Sequence, residues 1–192
     1  MTKRRVAVLI SGSGSNLQAL IDASVENDSQ LQIVFVISNK AEAYGLERAK
    51  KANIPSMVIS HKDFASREDF DQAMHEKLVE YGVEIVCLAG FMRLLSSEFV
   101  NKWRGRMLNI HPALLPNFKG AHAVRDALAA GAKESGCTVH QVTEEMDAGE
   151  IILQAVVPIL PNDTEQTLQQ RIHAHEHIIY PKALKMVAEK LI

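Results

Sequence analysis

Short uninterrupted apolar runs alternate along the chain with stretches whose apolar residues recur every three to four positions. Residues 6–10, Val-Ala-Val-Leu-Ile, form the first run. Its shortness and lack of alternation predict a strand covered on both faces in a parallel sheet. The loop Ser11-Gly12-Ser13-Gly14-Ser15-Asn16 follows, after which Leu17, Leu20, Ile21 and Val25 recur at helical spacing. The same reasoning predicts strands over 33–37 and 57–59, with a helix around 44–52 between them. A helix over 66–81 carries the stripe Phe70, Met74, Leu78 and Tyr81, which is core material. A strand over 84–89 leads into Gly90-Phe91-Met92-Arg93-Leu94-Leu95, and a helix over 98–103 into Leu108-Asn109-Ile110-His111-Pro112.

The last third changes character. After a helix over 124–130, residues 137–142 alternate like a strand with one half-polar face. The turn Glu144-Glu145-Met146-Asp147-Ala148-Gly149 joins them to an apolar run over 151–157, which suggests an antiparallel pair. Asp163 with Gln166 resembles a capping box for a final helix, and Pro181 can open a second helical piece. The order predicts an α/β fold with a mostly parallel sheet and antiparallel C-terminal strands. No linker, repeat or low-complexity stretch interrupts it, so residues 1–192 read as a single domain.

Three loops carry candidate chemistry. An extended 108–111 places Asn109 and His111 on one side, where an amide and an imidazole can both donate to a developing oxyanion. The plainer reading is a polar strand end. Glycines before a helix let backbone N–H groups face an anion, so Gly12, Ser13, Gly14, Ser15 and Asn16 suit a phosphate or a simple tight turn. Leu17 occupies the place of a third fingerprint glycine, and Ser38-Asn39 ends the next strand without an acidic residue, which disfavours nicotinamide and flavin. No Gly-Lys-Ser/Thr follows, which removes a nucleoside triphosphate loop. In an open α/β sheet, ligands bind beyond the carboxyl ends of strands near a switch point, where this loop and the 90–95 loop would both lie. Residues 91–95 could equally be a buried connection.

Composition narrows these options. The hydrophobic fraction of 47% and charged fraction of 23% are ordinary for a globular protein, and the formal net charge of −2 gives no general pull toward nucleic acid. The basic start at residues 1–5 precedes too short an apolar run for a signal peptide or membrane span. Cys87 and Cys137 show no zinc, redox or nucleophile spacing, so a reducing, cytoplasmic setting fits. His173-Ala174-His175-Glu176-His177 puts His173 and His177 on one helix face but lacks the His-Glu-x-x-His pair, and no metal is expected. His61 and His75 read as exposed or structural. An acid to orient His111 could come from Asp147, whose plainer reading, with Glu144 and Glu145, is a solvated turn.

Taken together, residues 10–17, Cys87-Leu88-Ala89-Gly90-Phe91-Met92-Arg93, residues 108–116 and Met146-Asp147-Ala148-Gly149 resemble the phosphoribosylglycinamide formyltransferases, folate-dependent formyltransferases of purine synthesis. The resemblance covers essentially the whole chain and implies a Rossmann-like three-layer formyltransferase fold. It implies direct transfer of a formyl group from the co-substrate 10-formyltetrahydrofolate to the amine of glycinamide ribonucleotide, through a tetrahedral intermediate. By the same resemblance Asn109, His111 and Asp147 match the catalytic trio, with His111 as proton donor and Asp147 as the acid that favours its charged form. Gly14, Ser15, Asn16, His173 and Glu176 match the nucleotide contacts. Arg67, Met92, Arg93, Leu94, Leu95, Asn109, Thr143, Glu144, Glu145, Met146 and Asp147 match the folate positions. The chain departs from the pattern at Ala113, where serine is common, and at Val124, where histidine is common. Small-molecule substrates and a monomer or homodimer are expected, with neither nucleic acid nor membrane as partner. The rival readings are a formyltetrahydrofolate deformylase-like hydrolase, a methionyl-tRNA formyltransferase, and a non-catalytic nucleotide- or folate-binding protein. The first two would need an additional domain that 192 residues do not accommodate.

Overall fold

The apolar runs become strands of one seven-stranded sheet in the order β3-β2-β1-β4-β5-β6-β7. This computed structural model describes residues 3–191; Met1, Thr2 and Ile192, and with them the first two residues of the basic start, lie outside the described residues. Strands β1 (Arg4–Ile10), β2 (Leu31–Ser38), β3 (Ser56–Val58), β4 (Ile85–Leu88) and β5 (Met107–His111) run parallel. β6 (Glu134–Gln141) pairs antiparallel with β5, and β7 (Ile151–Pro158) antiparallel with β6. The chain steps outward from β1 to β3 and then returns to the other side of β1 as β4. Strand order therefore reverses between β1 and β4, and the loops leaving their carboxyl ends diverge around a crevice.

Helices α1 (Ser15–Ser24), α2 (Gly45–Lys51), α3 (Arg67–Glu80), α4 (Ser97–Lys102), α5 (Ala123–Ala129) and α6 (Glu165–Lys190) cover the two faces. Alternate residues of a strand face opposite ways, and β1 shows the result. Val6, Val8 and Ile10 pack with Leu17 and Leu20 of α1 and with Ile172, Tyr180 and Leu184 of α6. Ala7 and Leu9 pack with Phe70, Met74 and Leu78 of α3 and Phe99 of α4. Both faces of the central strands are thus removed from water, which is why their sequence is continuously apolar. On β5, Leu108 and Ile110 join the α1/α6 core. Asn109 and His111 consequently point to the face carrying α3 and α4.

Several local expectations change. Val25 is not on the buried stripe of α1; it follows the helix and is 73% exposed, while Leu17, Leu20 and Ile21 carry the packing. Tyr81 caps α3 rather than extending its stripe, and its ring stacks on Phe35 with centroids 3.9 Å apart. The cap of the last helix is Thr164 with Thr167, since Thr164 has the extended backbone a cap requires. Asp163 instead binds the Arg171 guanidinium at 2.8 Å and accepts from the Leu160 N–H. Pro181 does not open a second piece: α6 runs through it. Proline withholds one N–H from the ladder, but Ile172, Ile179, Tyr180, Ala183 and Leu184 are buried on either side of it, and this packing outweighs the interruption. His75 is half-buried and lies edge-on to Trp103.

Candidate active site

The site begins with the pairing of β5 and β6. Asn109 lies opposite His140, and His111 opposite Thr138. Directly opposed residues of an antiparallel pair share a face, so four polar side chains meet there. The Asn109 amide Nδ2 donates to His140 Nε2 at 3.2 Å, and His140 Nδ1–H donates to the Gln141 carbonyl at 2.9 Å. These two bonds hold His140 as a neutral ring and leave the second Nδ2 proton of Asn109 free to donate. Burial pushes the pKa of His140 below the ordinary histidine value, in keeping with its acceptor role. Thr138 donates to the Ala113 carbonyl at 2.6 Å and accepts from the Leu115 N–H, pinning the segment after His111 to β6. The Leu115–Pro116 peptide in that segment is cis.

The turn between β6 and β7 completes the cluster. Asp147 has a left-handed backbone, φ 52°, and its carboxylate is turned inward with only 8% of the side chain exposed. Oδ2 lies 3.5 Å from His111 Nδ1 and accepts from the Gly120 N–H at 2.9 Å; Oδ1 lies 3.7 Å from His140 Nε2. His111 Nε2–H donates to the Phe118 carbonyl at 2.8 Å. Both ring nitrogens of His111 therefore face acceptors, an arrangement that the imidazolium satisfies at both ends. Glu144 and Glu145 hold the turn in place. Glu144 accepts from Asn101 Nδ2 and pairs with Arg104, and Glu145 pairs with Lys119.

A cavity of about 170 Å³ opens on Asn109 and His140. Phe91, Arg93, Leu94 and Leu95 line it from the loop after β4, and residues 143–147 from the loop after β6. Met92 is next to it in the chain and 69% exposed. Arg67 is not in this cavity. It lines a neighbouring recess of about 250 Å³ with His61 and Ser66, which shares Arg93 and Leu94 with the first. Leu94, Leu95 and Val142 give the first space apolar walls, and Arg93 and Arg67 put positive charge where the two spaces meet. A larger trough, about 690 Å³, runs over the outer sides of α1 and α6 and touches none of Asn109, His111 and Asp147. Its size reflects the gap between two helices, and the chemistry lies elsewhere.

On the other side of the crevice, Gly14 caps α1 with φ 70°, and no side chain occupies the helix N-terminus. The first N–H groups of α1 are thus available to an anion, as is the positive end of the helix dipole. A Cβ on Gly14 would lie 2.6 Å from the Gly45 Cα, so glycine is required both by φ and by this contact. Gly12 and Ser13 are exposed at the loop tip, where their carbonyls accept from the Gly45 N–H and from Arg48 Nε. Asn16 turns inward, donating from Nδ2 to the buried Glu176 carboxylate at 2.8 Å. Burial raises the pKa of Glu176, opposed by that bond. His173 stacks on His177 one turn along α6. Among the described residues no group of three or more His, Cys, Asp and Glu is placed to hold a metal ion. Burial pushes both thiols, Cys87 and Cys137, up to about 12, which makes them poor nucleophiles.

A profile of the formyl transferase family matches residues 4–184. The chain belongs to the formyl transferase family. It is 62% identical over 188 residues to a trifunctional purine biosynthetic protein adenosine-3 of Chironomus tentans, covering 97% of this chain and 14% of that protein. It thus spans about a seventh of that relative's length. Phosphoribosylglycinamide formyltransferase of Escherichia coli is 46% identical, with 96% of this chain and 87% of that protein covered. The crystal structure of glycinamide ribonucleotide transformylase 1 from Symbiobacterium toebii superposes with a TM-score of 0.96 at 49% identity, covering 98% and 89% of the two chains. This formyl transferase accordingly has the mixed sheet expected of it, mostly parallel with antiparallel last strands.

His140 is the member of the cluster that sequence reasoning missed. The alternation over 137–142 already set Thr138 and His140 on one face. What was missing was the register that brings this face opposite Asn109 and His111, and register depends on the length and path of the connection through α5.

Proposed function

We propose that this formyl transferase moves a formyl group from 10-formyltetrahydrofolate to the amine of glycinamide ribonucleotide, within residues 1–192 as a single catalytic domain. The observation that carries the reading is the convergence of Asn109, His111 and Asp147 between an apolar, arginine-ended cavity and an uncapped helix N-terminus. Folate chemistry suits the first space, and a phosphomonoester suits the second. The names of the relatives above support the ribonucleotide as acceptor and formyl as the group transferred.

In this account the α1 N-terminus holds the phosphate, with Gly14, Ser15 and Asn16 supplying the loop, and Glu176 and His173 hold the rest of the nucleotide. The amine attacks the formyl carbon, and the carbonyl pair moves to oxygen. Asn109 Nδ2–H and the His111 imidazolium donate to that oxyanion. For this His111 Nε2 must leave the Phe118 carbonyl, so the 117–120 loop shifts as substrates enter. The attacking nitrogen then gives up a proton, relayed through Asp147 and a water, and the folate nitrogen gains one as its bond to the formyl carbon breaks. The products are the formylated amine and tetrahydrofolate. Both thiols are buried and unused in this step, which suits a reducing, cytosolic setting and needs no covalent enzyme intermediate. Small molecules are the only partners the account requires, whether the protein acts as a monomer or a homodimer.

Following labelled formyl from 10-formyltetrahydrofolate, with glycinamide ribonucleotide, water and methionyl-tRNA offered together, tests the reading. Label is expected on the ribonucleotide. Release as formate points to the hydrolase, and label on the tRNA overturns the substrate assignment.

A further inference from the structure

The two substrate loops are joined by one buried hydroxyl that belongs to neither cavity. Ser11 is the first residue after β1 and is 6% exposed. Its Oγ–H donates to Asn39 Oδ1 at 2.6 Å, and its oxygen accepts from the Met92 N–H at 2.8 Å. Asn39, 3% exposed at the end of β2, turns its Nδ2 toward His61 Nδ1 at 3.4 Å. Next in the chain, the Gly12 carbonyl of the phosphate-side loop accepts from the Gly45 N–H.

Phe91 and Leu95 anchor the two ends of the folate-side loop on the core, but its middle has no apolar anchor. Met92 and Leu94 are 69% and 57% exposed, so their side chains do not hold it. At its far end the Ser96 N–H is bound by the buried Asp71 carboxylate. In its middle the Met92 N–H is bound by Ser11. Ser11 is thus the covalent neighbour of residues 12–16 and the hydrogen-bond partner of the backbone that presents Arg93 and Leu94, so a ligand that orders one loop has a route to the other. Linkage requires the reverse effect to be equal.

We propose that Ser11 is a positioning residue that couples the phosphate-side and folate-side loops, so that glycinamide ribonucleotide and the folate bind cooperatively; this rests on the substrate reading above. Calorimetry on the full chain, with tetrahydrofolate as probe in the absence and presence of saturating glycinamide ribonucleotide, measures the coupling. The wild type is expected to bind tetrahydrofolate about fivefold or more tightly when the nucleotide is present. Ser11→Ala should reduce that ratio to within about twofold of one, and Ser11→Thr, which keeps the hydroxyl, should retain it. If Ser11→Ala does not fold, Ser11→Cys, which keeps the bulk but offers the Met92 N–H a much weaker acceptor, should lower the ratio in the same direction. A merely structural role would lower the unfolding temperature and leave the ratio intact, and that result overturns the proposal, as does a wild-type ratio of one. A wild type that binds neither ligand overturns the substrate reading itself.

Discussion

Replacing His140 by leucine keeps a buried side chain of similar bulk and removes both ring nitrogens. Two hydrogen bonds disappear, that from Asn109 Nδ2 at 3.2 Å and that to the Gln141 carbonyl at 2.9 Å. At about 1 kcal/mol net for each bond, folding loses about 2 kcal/mol, partly offset by the apolar surface that leucine buries. The effect on turnover should be larger. Removing an oxyanion donor altogether typically costs about 10²–10³ in kcat. His140→Leu leaves the amide present but unoriented, so a fall of about 10- to 100-fold is expected, in kcat rather than in either KM. Steady-state formyl transfer, varied in each substrate, and urea unfolding give the two quantities separately. The pH dependence supplies a second check. Burial lowers the folded pKa of His140, so the unfolded chain binds a proton where the folded one does not. Its contribution to stability is present above about pH 6.5 and is lost as pH falls toward the depressed folded value. The stability gap between wild type and His140→Leu should therefore narrow on acidification. A variant with kcat within about twofold of wild type, despite the lost stability, would refute the claim that His140 sets the Asn109 amide.

Other perturbations follow from the same geometry. Gly14→Ala places a Cβ 2.6 Å from the Gly45 Cα at φ 70°; left-handed strain of about 1–2 kcal/mol and overpacking of about 1–3 kcal/mol should lower the melting temperature by several degrees and weaken nucleotide binding, both measurable by calorimetry. Asp147→Asn removes the charge facing His111 and His140 while keeping an acceptor for the Gly120 N–H, so kcat should fall by about 10² or more with little change in melting temperature. Glu176→Gln should do the reverse: because the folded pKa of Glu176 is raised, its ionisation costs stability as pH rises above about 4.5, so the variant should gain stability relative to wild type as pH rises from there, while the nucleotide KM rises. The Arg171 guanidinium, with the Leu160 N–H, holds Asp163 well below the usual carboxylate range, so its stabilisation is present above about pH 4 and lost as pH falls further. Asp163→Asn should accordingly melt earlier than wild type at pH 7, by a gap that narrows steadily as pH falls below about 4, by scanning calorimetry.

What the sequence made legible was what local chemistry alone decides. The continuous apolar runs at β1 and β4 follow from burial on both faces, and the Asn109-x-His111 spacing forces a shared side. The glycine loop before α1 was legible because only glycine takes the left-handed backbone at Gly14 without strain. What stayed hidden depends on distant parts of the chain. Pro181 sits inside α6 because packing on the sheet overrides the local preference to begin anew there. His140 joins the site through β5–β6 register, and Ser11 meets Met92 across 81 positions because β4 returns beside β1. The acidic turn at 144–147 had solvation as its plainer reading; its left-handed Asp147 and its ties to Asn101, Arg104 and Lys119 turn one carboxylate inward.

In the proposed reaction Asn109, His111 and Asp147 share one role, stabilising the transition state of formyl transfer. Its most direct test is the single-turnover rate of His111→Ala with both substrates saturating, alongside their dissociation constants. The chemical step is expected to slow by about 10² or more, with both dissociation constants within about threefold of wild type. A chemical step within about threefold of wild type would contradict it.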